Sequence, residues 1–269
     1  MSTCGKHLTS LRSIFSSVAM LTAMATPAFA FDPSQSGYKE VLSTTFNTIP
    51  AQWENKWWYQ NADACEQAFI PASQVPGSTG LTLHIQSLET VPQCAGTSHD
   101  YSYAHLDAFG TAYSNAYWEA SIKTAPKAGT LTAWWLLPES GAWPPEVDIT
   151  EVRGDVPNTS YMTNHYGKNN SARQFVYNAS APLSSAYHTY GVLLDGKNVT
   201  WFLDGVQKGQ TPVQAGETGP LFPVLSLYTG GCYDGWAGCP QGSGTTPLTG
   251  WSANASVQWI HVWTKTTQK

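Results

Sequence analysis

From residue 31 onward, apolar and polar positions alternate in short runs instead of recurring every three or four residues. The runs are LTLHI (81–85), AYWEASI (116–122), LTAWWLL (131–137), VDITE (147–151), AYHTYGVLL (186–194), VTWFL (199–203) and VQWIHVW (257–263). Each is rich in β-branched and aromatic residues, and a period of two puts alternate side chains on opposite faces of a strand. Gly, Pro, Asn and Asp punctuate the runs, with Asp195-Gly196 and Asp204-Gly205 placed as hairpin turns. Helical periodicity is nearly absent. The pattern predicts an all-β protein, a sandwich or a barrel of antiparallel strands.

Twelve tryptophans and thirteen tyrosines exceed what one core needs. Neighbouring aromatics on an alternating strand face opposite ways, so Trp134 and Trp135 divide between the core and a groove. Flat, rigid aromatic faces stack on the apolar faces of sugar rings, and the surplus points to a carbohydrate cleft.

Residues 1–30 stand apart. Lys6 and Arg12 precede an apolar stretch at 14–25 that ends in Ala28-Phe29-Ala30, the pattern of a secretory signal with an A-x-A cleavage site. That stretch is too short to span a bilayer. The expectation is a secreted or periplasmic chain beginning at Phe31, with no membrane partner. Losing two basic residues and no acids takes the net charge from −5 to −7, which argues against nucleic acid. No linker or repeat divides residues 31–269, so one catalytic domain is expected, working as a monomer.

Without Cys4 an even set of cysteines remains: Cys65, Cys94, Cys232 and Cys239. In an exported chain these predict disulfides. Proximity pairs Cys65 with Cys94 and Cys232 with Cys239, although three connectivities are open. No C-x-x-C or nearby histidine spacing supports a metal site instead.

The chemistry concentrates in WPPEVDITEVRG (143–154), where Glu146, Asp148 and Glu151 crowd a chain that is only 12% charged. In a strand opened by Glu146, Asp148 shares its face, whereas Glu151 points the other way. One extra residue at a β-bulge near Ile149 or Thr150 returns Glu151 to the same face. The outer Cα atoms then lie roughly 13 Å apart, and two inward-leaning glutamates approach the ~5 Å carboxyl separation of a retaining glycosidase. Like charges this close raise one pKa, giving an ionised nucleophile and a protonated acid from one strand. An acidic face can simply be solvated, but Pro144, Pro145 and nearby aromatics make this one poorly placed for that. There is no G-x-S-x-G elbow, H-E-x-x-H, phosphate-binding glycine loop or Rossmann fingerprint.

Glu146-Val147-Asp148-Ile149-Thr150-Glu151 resembles the bulged strand motif of glycoside hydrolase family 16. The resemblance extends to YWEASIK (117–123), GTLTAWWLLPE (129–139), AYHTYGVLLDGKNVTWFLDG (186–205) and VQWIHVW (257–263). It implies a two-sheet jelly roll whose concave face carries the cleft. It implies Glu146 as nucleophile, Glu151 as acid and base, and Asp148 tuning both, with anomeric configuration retained. Trp143, His165 and Trp236 match family positions beside the substrate, and Trp135 joins them as a binding residue. Ser121 stands where relatives often carry Arg, and Leu131 stands where many carry Trp. Gln258 replaces an Asp that helps bind structural calcium in relatives, so no cofactor is expected.

The substrate expected is a β-linked polysaccharide, first 1,3-β-glucan, which laminarinases with the bulged motif cleave. Galactan hydrolysis of the agarase or carrageenase kind and transglycosylation stay open; a mixed-linkage lichenase fits less well, because those usually carry an unbulged motif. A lectin-like binder without chemistry is the competing class, and three crowded carboxylates speak against it.

Overall fold

The computed structural model describes residues 30–53, 73–88, 101–169, 171–229 and 249–265, residues 236 and 240, and the backbone of 93–94 and 97–98. Sixteen strands run through these residues: β1 Tyr38–Thr44, β2 Gln74–Gly77, β3 Gly80–Gln86, β4 Gln93–Cys94, β5 Thr97–Ser98, β6 Ala104–Asp107, β7 Ala116–Lys123, β8 Leu131–Pro138, β9 Glu146–Arg153, β10 Thr159–Tyr166, β11 Ser171–Asn178, β12 His188–Leu194, β13 Asn198–Leu203, β14 Val206–Pro212, β15 Leu221–Tyr228 and β16 Ser252–Lys265. All seven predicted strands are present, each within a residue or two except β16, which begins five residues earlier.

Two antiparallel sheets form the jelly roll. One runs β14-β13-β12-β7-β16-β3-β2, with β1 also paired to β16; the other runs β11-β10-β9-β8-β15-β6. Strand β16 is long enough to serve two partners on one edge, β3 through residues 252–257 and β1 through 260–265. Between the sheets lie Trp118, Trp134 and Trp201, each fully buried, with Leu83, Ile85, Val147, Ile149, Val192 and Val257. Burying apolar side chains of this size stabilises by roughly 1.5–3 kcal/mol each. The β13–β14 turn is Asp204-Gly205, both at positive φ (51° and 72°), the requirement of a two-residue type I′ hairpin.

Residues 1–29 of the expected signal sequence and the cysteines Cys65, Cys232 and Cys239 lie outside the described residues, as does the side chain of Cys94. No helix among the described residues is long and apolar enough to cross a membrane.

Candidate active site

Strand β9 sits inside the six-stranded sheet, between β8 and β10, so its backbone is clamped on both edges. Opposite β8, Glu151 faces Ala133 and Thr150 faces Trp134, but Asp148 faces Trp135: Ile149 is the extra residue. Opposite β10 the register also slips, from Glu151 facing Tyr161 to Asp148 facing Thr163. Burial records the same event. Ile149 and Thr150 are adjacent yet both point into the core, at 1% and 0% exposure. Thr150 Oγ1 is held to Ser160 Oγ at 2.8 Å there. The bulge therefore stands where the spacing required it, and Glu146, Asp148 and Glu151 share the outer face of the sheet.

Asp148 is the most enclosed of the three, 4% exposed, while Glu146 and Glu151 are half-buried. Burial pushes its carboxyl pKa well above the usual range, and the charge of Glu146 and a hydrogen bond with Glu146 push it further the same way. Both effects favour the protonated form of Asp148, with Glu146 as its hydrogen-bond partner. Asp148 Oδ2 lies 3.2 Å from His165 Nε2, which with Asp148 protonated acts as the donor. His165 faces Glu146 across the β9–β10 ladder. Glu146 has a second partner, since Trp143 Nε1 donates to its Oε2 at 2.7 Å.

Aromatic side chains flank both ends of the acid row. At the Glu146 end, Trp143 is 54% exposed. With Trp135, Leu137, Pro138, Gly141, Ala142 and Glu146 it lines a largely apolar pocket of about 240 Å³. Trp134 is buried while Trp135 is half-exposed, the division that alternation demands. Trp135 is anchored by its Nε1 donating to Ser226 Oγ at 3.1 Å. At the Glu151 end, Trp236 meets Tyr161 edge-to-face with centroids 5.1 Å apart, and the Arg153 guanidinium lies over its ring at 5.5 Å. The surface thus offers two aromatic platforms with three carboxylates between them.

With that geometry in place, comparison with known proteins is direct. The sequence profile of glycosyl hydrolases family 16 matches residues 76–251. The chain belongs to this family.

The chain is 25% identical over 236 residues to the endo-1,3-1,4-beta-glycanase ExsH of Rhizobium meliloti, covering 79% of this chain and 50% of that one. It is 25% identical over 150 residues to a beta-glucanase of Bacillus licheniformis, covering 55% and 58%. The chain thus spans about half the length of these relatives. Its fold is shared with the laminarinase catalytic domain of Thermotoga maritima, at a TM-score of 0.71 and 18% identity over 86% of this chain and 99% of that one. A Bacteroides ovatus family 16 protein, solved with a mixed-linkage glucan product, superposes at 0.64 with 19% identity over 82% and 99%.

Sequence reasoning missed several residues of this family 16 site. Strands β6 and β15 bring His105, Ser226 and Tyr228 onto the same face as Trp135. His105 Nδ1 lies 2.8 Å from the Tyr228 hydroxyl and His105 Nε2 lies 3.4 Å from Asp107 Oδ2. Burial, with lesser contributions from Glu146 and Asp107, raises the Tyr228 pKa and keeps its proton in place. Tyr161, opposite Glu151, was also unmarked. Glu146, Asp148 and His165 bring ligand-type atoms within 4.8 Å of one another, a spacing the shared proton and imidazole contact account for. The Gln258 amide oxygen accepts a hydrogen bond from Ser121 Oγ at 2.8 Å.

Proposed function

We propose that this chain is a secreted, retaining endo-glycosidase that hydrolyses a β-linked glucan, with 1,3-β-glucan as its first substrate. The observation carrying the proposal is the bulge at Ile149, which brings three carboxylates to one face of the sheet and encloses Asp148 beside Glu146.

In this reading the Glu146 carboxylate attacks the anomeric carbon as the glycosidic C–O bond breaks, and Glu151 gives its proton to the departing oxygen. A glycosyl ester on Glu146 results. Glu151, now ionised, takes a proton from water; the water oxygen attacks the same carbon, the ester bond breaks, and both acids return to their starting states. Asp148 and Trp143 each donate a hydrogen bond to Glu146, fixing the carboxylate for attack. Ester formation removes the Glu146 charge, so part of what holds the proton on Asp148 disappears midway and returns at the end. The two glutamates supply nucleophile and proton, and the chemistry needs no cofactor.

Trp143 and Trp135 offer sugar platforms at the Glu146 end, and Trp236 offers one at the Glu151 end. Export rests on the leader pattern of residues 1–30. Phe31, the expected first residue, stacks on Phe202 at 4.8 Å and its N–H donates to Gly205 O, consistent with a domain beginning there. A mixed-linkage glucan is the second reading, favoured by the name of the Rhizobium relative.

The test is reducing-end release from laminarin, lichenan, agarose and carrageenan. Release from laminarin above the others is expected. Binding without release from any of them would leave a lectin, and release from agarose or carrageenan alone would make the substrate a galactan.

A further inference from the structure

Trp201 lies on β13, in the sheet opposite the acids, and is fully buried. Its indole Nε1 donates to the backbone carbonyl of Asp148 at 2.8 Å. Asp148 is where the β9 register slips. A bulge disrupts the ladder beside it, and the Asp148 carbonyl at this one accepts a hydrogen bond from the other sheet. The indole N–H is buried as well and keeps this acceptor only when the bulge holds this shape.

The indole is itself fixed. Phe175 on β11 packs on the Trp201 ring with centroids 5.4 Å apart. Gly209, which faces Trp201 across β13–β14, leaves the room Phe175 needs: a Cβ there would come within 2.6 Å of the Phe175 ring. A chain of contacts therefore runs from β14 through Phe175 and Trp201 to the backbone of Asp148.

We infer that Trp201 is a positioning residue for catalysis: it fastens the bulge from across the core and so fixes Asp148 against Glu146 and His165. The inference rests on the reading of Glu146, Asp148 and Glu151 as the catalytic acids. Its role is geometric, and displacing reacting groups by about 1 Å costs on the order of 100-fold in rate.

The test replaces Trp201 with 3-benzothienylalanine, which keeps the ring shape and puts sulfur in place of N–H, alongside Trp201→Phe. On whichever polysaccharide the wild type cleaves, kcat is expected to fall roughly 10- to 100-fold with KM within about threefold. A core variant in the same sheet as Trp201, Val257→Ala, should lose comparable stability yet keep its kcat. The second arm needs no activity: ¹³C NMR titration of the Asp148 carboxyl should move to lower pH in the benzothienyl variant, as Asp148 shifts relative to Glu146 and His165. Wild-type kcat in that variant, or an unmoved Asp148 titration, would overturn the inference. A wild type inactive on every polysaccharide would instead sink the proposed function, with the titration still deciding the tether.

Discussion

Replacing Asp148 by Asn tests the protonation assigned to the site. The introduced amide reproduces the protonated acid: its N–H₂ donates to Glu146 and its oxygen accepts from His165 Nε2, the contact now spanning 3.2 Å. In the unfolded chain Asp148 ionises near 3.8, and in the folded protein burial and then Glu146 hold the proton to much higher pH. A carboxyl whose folded pKa is raised binds more protons folded than unfolded. Its stabilising contribution is therefore full below pH 3.8 and lost as pH rises through the folded pKa. Within that window the loss approaches about 1.4 kcal/mol per pH unit, or roughly 3–5 °C in Tm for a chain of this size. An amide does not titrate and carries no such loss. Thermal or urea unfolding of both proteins from about pH 4 to 9 should show near-equal stability at the acid end and a widening advantage for Asp148→Asn above it. Glu119 and Glu217, whose pKa values are also raised, mainly by burial, titrate alike in both proteins and cancel. A stability gap that stays constant with pH, or narrows as pH rises, would show that Asp148 is ionised in the folded protein.

Further substitutions separate the roles of the site residues. Asp148→Asn should be well folded yet lose about 100-fold in kcat, because an amide cannot release the proton it shares with Glu146; unchanged turnover would remove Asp148 from the mechanism. Glu146→Ala should lose at least ~10,000-fold, and added azide should restore cleavage of an activated glycoside with an α-glycosyl azide as product. In Glu151→Ala, azide should yield the β-glycosyl azide instead, so exchanged anomers would exchange the two assignments. Trp143→Ala should raise KM about tenfold, the loss of one stacking contact. Since Trp143 is largely exposed, that variant should stay within about 0.5 kcal/mol of wild-type stability; a fall in stability with KM unchanged would make Trp143 a packing residue.

How much of this was legible follows from geometry. The strands that read clearly, such as β7, β8 and β13, combine alternation with aromatic or β-branched residues. Strand β15 has Pro223 near its middle, a residue that argues against a central strand; with it went Ser226 and Tyr228. Strand β11 fails for a different reason, being an edge strand exposed along most of its length. The bulge could be read because it follows from local arithmetic: an acid five positions on must be returned to one face. Trp201 could not, because its bond to Asp148 joins residues 53 apart and two sheets whose stacking no local pattern encodes. The contact of His105 with Tyr228 is hidden likewise, set by how β6 and β15 pair.

Everything proposed for the site turns on two glutamates of one bulged strand hydrolysing a β-glucan through a covalent intermediate. Proton NMR of the anomeric region during laminarin cleavage by the wild type reads release and stereochemistry together. With Glu146 as nucleophile, the β-anomer of the new reducing end should appear first and then relax to the equilibrium mixture. An α-anomer formed first, or no new reducing ends, would rule that mechanism out.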